Sequence, residues 1–124
     1  MSRRILVVED NEANQLLTLS ILEREGYLVD IAATSDEARA LLSQGRPDLI
    51  LMDVQLPGED GLSLTHRLKS DPATARIPIV ALTALAMAGD PERTLAAGCD
   101  GYISKPINTR TFAQDISKYL ANPA

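Results

Sequence analysis

The stretch Asp48-Leu49-Ile50-Leu51-Met52-Asp53 decides how this 124-residue chain is read. Four consecutive large apolar side chains between two acids show no polar face. Such a run fits a strand covered on both sides, as in a parallel sheet. Asp53 then emerges at its carboxyl end. Three other runs stop in the same manner: Ile5-Leu6-Val7-Val8 meets Glu9-Asp10, Ile79-Val80-Ala81-Leu82 meets Thr83, and Tyr102-Ile103-Ser104 meets Lys105. In an open parallel sheet, ligands bind beyond the carboxyl ends of the strands. Parallel neighbours would bring three acids, a hydroxyl and an amine to one edge, a set suited to a hard cation and a phosphoryl group.

Strands and helices alternate from end to end. Strands are predicted over 4–9, 27–32, 48–53, 78–83 and 101–105. The first helix spans Asn11 to Glu25, with Ala13, Leu17 and Ile21 one turn apart and Leu16 widening the face; Gly26 ends it in a left-handed conformation. Thr34 or Ser35 caps a second helix whose Ala38, Leu41 and Leu42 face inward, and Gly45 and Pro47 stop it. Pro57-Gly58 forms a turn. A third helix, about Asp60 to Ser70, turns Leu64 and Leu68 inward. Asp90-Pro91 opens a fourth, ending at Gly98. Thr109 caps a fifth, with Phe112, Ile116 and Leu120 four apart. The tail Asn122-Pro123-Ala124 is expected to fray. Five βα units with right-handed crossovers give an α/β fold: a doubly wound five-stranded parallel sheet of flavodoxin-like order 2-1-3-4-5, with five helices.

The composition fits one globular domain, 1–124, with 45% hydrophobic residues. A net charge of −5 argues against a general nucleic-acid binder, which needs a basic face. No apolar stretch reaches membrane-spanning length, and the start of the chain does not read as a signal peptide. The one cysteine, Cys99, has no intrachain partner and no CxxC or His neighbour to activate it. A cytoplasmic setting is expected.

The chemistry of the strand ends follows from charge. Glu9, Asp10 and Asp53, close together, resist joint ionisation, and a divalent cation relieves that repulsion. Mg²⁺ takes oxygen ligands and commonly sits on one or two carboxylates plus a phosphate. The only histidine, His66, falls on the third helix as a surface residue, so zinc is not expected. A carboxylate is a competent nucleophile toward phosphorus. Mg²⁺ on Asp10 and Asp53, the Lys105 ammonium and the Thr83 hydroxyl would neutralise the transferred group. Each residue alone has an ordinary explanation: a helix cap, a strand-end hydroxyl, a solvated lysine. Their shared topological place raises them above it.

These residues carry a resemblance. Val7-Val8-Glu9-Asp10-Asn11, Leu51-Met52-Asp53-Val54-Gln55-Leu56-Pro57 with Asp60-Gly61, Ala81-Leu82-Thr83-Ala84 and Tyr102-Ile103-Ser104-Lys105-Pro106 make the chain, from Arg3 to Leu120, resemble the receiver domain of bacterial two-component response regulators. Ala86-Met87-Ala88-Gly89-Asp90 and Ile103-Ser104-Lys105-Pro106-Ile107 look particularly like the DivK type of single-domain regulator. The resemblance implies that Asp53 is the phosphoacceptor. It implies that Glu9, Asp10, Asp53 and the Gln55 backbone carbonyl hold Mg²⁺ (or Mn²⁺). Thr83 and Lys105 would contact the phosphoryl group, Tyr102 would be the switch aromatic, and Lys105-Pro106 a cis peptide. Glu9 stands where Asp is commoner. The implied donor is a histidine kinase or phosphotransfer protein, docking on the first helix near Asn14, Gln15 and Thr18. With no output domain expected, signalling to a downstream protein target would pass through the face around helix four, strand five and helix five. The implied protein is a switch, not a classical enzyme, with no direct nucleic-acid or membrane partner. Two rival classes fit less well. A haloacid-dehalogenase-like phosphatase wants a second Asp where Gln55 stands, and a flavodoxin-type cofactor binder would not place Glu9-Asp10-Asn11-Glu12 against a phosphate or lack a glycine-rich loop.

Overall fold

The computed structural model describes residues 3–56, 59–83 and 95–120. Five parallel strands, β1 (Arg4–Val8), β2 (Leu28–Ala32), β3 (Leu49–Asp53), β4 (Ile79–Thr83) and β5 (Gly101–Ser104), form one sheet in the order β2-β1-β3-β4-β5. The helices are α1 (Glu12–Arg24), α2 (Ser35–Gln44), α3 (Gly61–Ser70), α4 (residues 95–97) and α5 (Phe112–Leu120). The expected turn at Pro57-Gly58, the helix start at Asp90-Pro91 and the tail from Asn122 lie outside the described residues.

Strict alternation along the strands sorts the core into two layers, because successive strand side chains point to opposite faces. Leu6, Val8, Ile50, Met52, Ile79 and Ala81 meet α2, α3 and Ala97 through Ala38, Leu62, Leu64 and Leu68. Ile5, Val7, Leu49, Leu51, Val80 and Leu82 meet α1 and α5 through Ile21, Leu22, Phe112, Ile116 and Leu120. β3 and β4 are buried at every position, as their unbroken apolar runs require.

Helix ends follow local chemistry. Asn11, Thr34 and Asp60 cap α1, α2 and α3, each side chain accepting a backbone N–H three residues on. Gly26 (φ 89°) and Gly98 (φ 104°) take the left-handed turns that follow α1 and α4.

Two expectations need correction. The inner face of α1 is Leu17, Thr18, Ile21 and Leu22, whereas Ala13 and Leu16 (60% exposed) face outward. Thr18, fully buried, therefore has no access to a docking partner. The turn into α5 is held by Asn108 rather than Thr109: Asn108 Oδ1 accepts the Arg110 N–H at 2.9 Å, and its carbonyl accepts the Phe112 N–H at 3.0 Å.

Candidate functional site

The polar residues beyond the strands are seated by the sheet itself. Glu9 N–H donates to Ala32 O at 2.9 Å, Val54 N–H to Leu82 O at 3.1 Å, and Lys105 N–H to Thr83 O at 2.8 Å. Each is one more rung of a ladder, so the ends of β1, β3 and β5 stand at fixed offsets. Asp53 is paired in register with Leu82, and Thr83 with Ser104.

Carboxylate oxygens of Glu9, Asp10 and Asp53 all lie within 4.8 Å of one another, with Glu9 and Asp53 buried and Asp10 exposed. Lys105 Nζ stands 3.1 Å from Glu9 Oε1 and 3.2 Å from Asp53 Oδ1. Thr83, 2% exposed, closes β4 beside them. Thus all five strand-end groups expected to converge belong to one edge.

The remaining contacts orient the acids. Asp53 Oδ1 accepts the Gln55 backbone N–H at 3.0 Å. Glu9 Oε2 accepts the Asn11 N–H at 3.3 Å, and Glu9 O accepts Gln15 Nε2 at 2.6 Å. The Gly61 Cα rests against the Asp53 peptide so closely that a Cβ there would fall 1.9 Å from Asp53 O. Lys105-Pro106 is cis. Tyr102 is 41% exposed on the edge strand.

Burial, a hydrogen bond shared with Glu9 and the Glu9 charge push the Asp53 carboxyl up to about 7, against the opposing pull of the Gln55 N–H and Lys105. Burial raises the Glu9 carboxyl too, but the adjoining Asp53 carboxyl and the Lys105 ammonium outweigh it and hold Glu9 below its ordinary value. Burial depresses the Lys105 ammonium, and the two carboxylates more than reverse that. One amine thus faces two adjoining acids, and the site carries negative charge it does not itself neutralise.

A divalent metal fits this arrangement. Every donor is an oxygen, which suits Mg²⁺ or Mn²⁺ over zinc. Glu9 Oε1 is fully buried and, among the described residues, meets Lys105 as an ion pair without an aligned hydrogen bond.

Two other titratable residues fall away. His66 is exposed on α3. Cys99 is buried 4.0 Å from Thr65 Oγ1, and burial pushes its thiol up, away from the reactive thiolate.

Sheet order and site geometry together define a phosphorylation-type receiver architecture, and the comparisons agree. Residues 5–117 match the response regulator receiver domain, and the chain belongs to that family. It is 44% identical over 122 residues to the polar-differentiation response regulator DivK of Brucella anthropi, covering 98% of this chain and 99% of that protein. The corresponding protein of Brucella ovis is 43% identical over the same span. Among solved structures, a CheY-like receiver domain protein from Methanospirillum hungatei superposes with a TM-score of 0.88 at 34% identity, covering 98% of this chain and 95% of that one. The receiver domain of a sensor histidine kinase from Pseudomonas aeruginosa superposes at 0.89 with 35% identity, covering 98% of this chain and 100% of that one; it has a magnesium ion coordinated in its active site cleft. Response regulator receivers are signalling switches in two-component systems rather than classical enzymes.

Proposed function

We propose that Asp53 accepts a phosphoryl group from a histidine kinase or phosphotransfer protein, and that the modified domain signals through protein–protein contact. The observation that carries this is the Asp53 carboxylate itself. It is buried at the carboxyl end of the sheet, shares its surroundings with Glu9, and has Lys105 Nζ at 3.2 Å.

Glu9, Asp10, Asp53 and the Gln55 backbone carbonyl would hold Mg²⁺ (or Mn²⁺). When bound, the metal supplies charge neutralisation for the phosphoryl oxygens. An Asp53 oxygen attacks phosphorus as the bond from phosphorus to the donor's histidine nitrogen breaks, and that nitrogen keeps the electron pair. Lys105 offers its ammonium to the equatorial oxygens and Thr83 its hydroxyl. The same residues then serve water in hydrolysis, so the domain assists both its own phosphorylation and its own reset.

Phosphorylation adds roughly −1.5 to −2 charge. Thr83 and Lys105 move toward it, Tyr102 repacks, and the face around α4, β5 and α5 changes affinity for a downstream protein. This is a population shift, limited by the target's differential affinity for the two states. The donor docks on the outer face of α1, where Ala13 and Leu16 are exposed and Asn14 and Gln15 half-buried. No helix among the described residues is long and apolar enough to cross a membrane. We assign the protein to the cytoplasm on its family and its lone cysteine.

Intact-protein mass after incubation with acetyl phosphate and Mg²⁺ tests the assignment. One added phosphoryl group, lost with chelator and in Asp53→Asn, is the expected result. Stoichiometric labelling of Asp53→Asn would remove Asp53 from the mechanism.

A further inference from the structure

We propose that Glu59 is a positioning residue for the metal and phosphoryl site, held by a two-arginine clamp reaching from α2 and α3. The proposal rests on the receiver reading of Asp53 given above. Arg67 Nη1, from α3, donates to both Glu59 oxygens at 2.9 and 2.7 Å. Arg39 Nη1, from α2, reaches Glu59 Oε1 at 3.5 Å, and Arg39 is itself paired with Asp36. The Glu59 side chain is 20% exposed beneath the two guanidinium groups. A single exposed ion pair contributes little. Here two cations from different helices converge on one shielded carboxylate, the network arrangement that carries more.

What the clamp holds is the start of α3, which packs on the phosphoacceptor. Gly61 N–H donates to Val54 O at 2.9 Å, and Gly61 lies directly on the Asp53 peptide. Asp60 caps α3 through the Ser63 N–H at 2.8 Å. Glu59 precedes both. Its side chain therefore anchors the start of α3, and through Gly61 that start bears on Val54 and Asp53, next to Gln55, donor to Asp53 Oδ1 and proposed carbonyl ligand of the metal. Among the described residues the ion pairs of the two arginines go to Glu59 and Asp36, so the clamp acts through the backbone and not on the reacting atoms.

Three measurements on Glu59→Ala, Glu59→Gln and Arg67→Met test this. The first, on metal-free protein, is hydrogen–deuterium exchange of the peptide that opens α3, residues 59–66. Exchange should quicken in Glu59→Ala and Arg67→Met and be partly restored in Glu59→Gln, with the strand peptides unchanged. The second is Mg²⁺ affinity by calorimetry. Residues that orient a metal's ligands typically matter 10- to 100-fold, and this clamp, one step further out, should weaken binding about three- to tenfold. The third is the rate of phosphorylation by acetyl phosphate against Mg²⁺ concentration. The half-saturating Mg²⁺ should rise by the same factor while the rate at saturation stays within twofold. Unchanged exchange together with Mg²⁺ affinity within twofold of the unsubstituted protein would overturn the clamp. If the unsubstituted protein takes no phosphoryl group, the Asp53 assignment fails, and the first two measurements still decide the clamp.

Discussion

Two lysines of nearly equal burial mark opposite edges of the sheet. Lys69, with a side chain 19% exposed, donates to Ala75 O at 3.2 Å, Ile77 O at 2.8 Å and Asp100 Oδ2 at 2.9 Å; the same Asp100 oxygen accepts the Ile79 N–H. Lys105, 18% exposed, faces the buried Glu9 and Asp53. At the Lys69 edge, one ammonium with three donors meets three acceptors, and the entries to β4 and β5 are stapled to α3. At the Lys105 edge, one cation meets two carboxylates, and a third stands by. The first arrangement stabilises the fold; the second leaves an excess of negative charge, which the proposed metal would offset. Burial of a charged residue does not by itself separate structure from function. The charge balance among its partners does.

Exchanging each lysine for methionine gives the largest expected separation. Lys105→Met should slow phosphoryl uptake about 10²- to 10³-fold, the usual consequence of removing one preorganised donor from a developing oxyanion. Uptake at the unsubstituted rate would erase the difference between the edges. Lys69→Met should cost about 2–3 kcal/mol in urea unfolding, since two carbonyls and a carboxylate lose a charged donor. Its phosphoryl uptake under native conditions should be unchanged, and a parallel loss of uptake would show the edges to be coupled.

A smaller effect sharpens the carboxyl edge alone. In the metal-free folded chain the Asp53 carboxyl titrates at about 7, against an ordinary 3.8, so between those values the folded state binds the extra proton. Stability from this group is therefore present at low pH and lost as pH rises toward 7. Glu9, held below its ordinary 4.5, works in the opposite direction under more acid conditions, which confines the Asp53 signature to about pH 4.5–7. Asp53→Asn should flatten unfolding stability across that window and stabilise the metal-free protein at pH 7 by about 1–2 kcal/mol. A slope as steep in Asp53→Asn as in the parent would place its origin elsewhere. The smallest effect concerns Gln15, whose side-chain amide braces the Glu9 carbonyl. Gln15→Ala should lower stability by about 1 kcal/mol, one neutral hydrogen bond. A change in phosphotransfer from a kinase without that loss would assign Gln15 to docking alone.

Much of this was legible in the chain. Apolar runs ending in acid, hydroxyl or lysine located four strands and the polar residues at their carboxyl ends; β3 and β4 are buried on both faces, as such runs imply, while β5 is half-exposed. The same logic was less decisive on α1. Ala13, Leu16, Leu17 and Ile21 are compatible with more than one stripe, and the helix buries Thr18 instead of Leu16. Asn108 and Thr109 are both competent caps, and only the path of the chain after Pro106 selects the first. The Arg39–Glu59–Arg67 cluster left no periodic signal, since its members come from three separate segments.

The sequence by itself determined the order of the elements, the layers they bury and the residue types at the strand ends, all consequences of hydrophobic patterning and local chemistry. Tertiary structure alone decided which stripe of α1 faces the sheet, which lysine staples backbone and which faces an excess of carboxylates, and how Glu59 is held between Arg39 and Arg67. These depend on distances between residues far apart in the chain, and no local pattern encodes them.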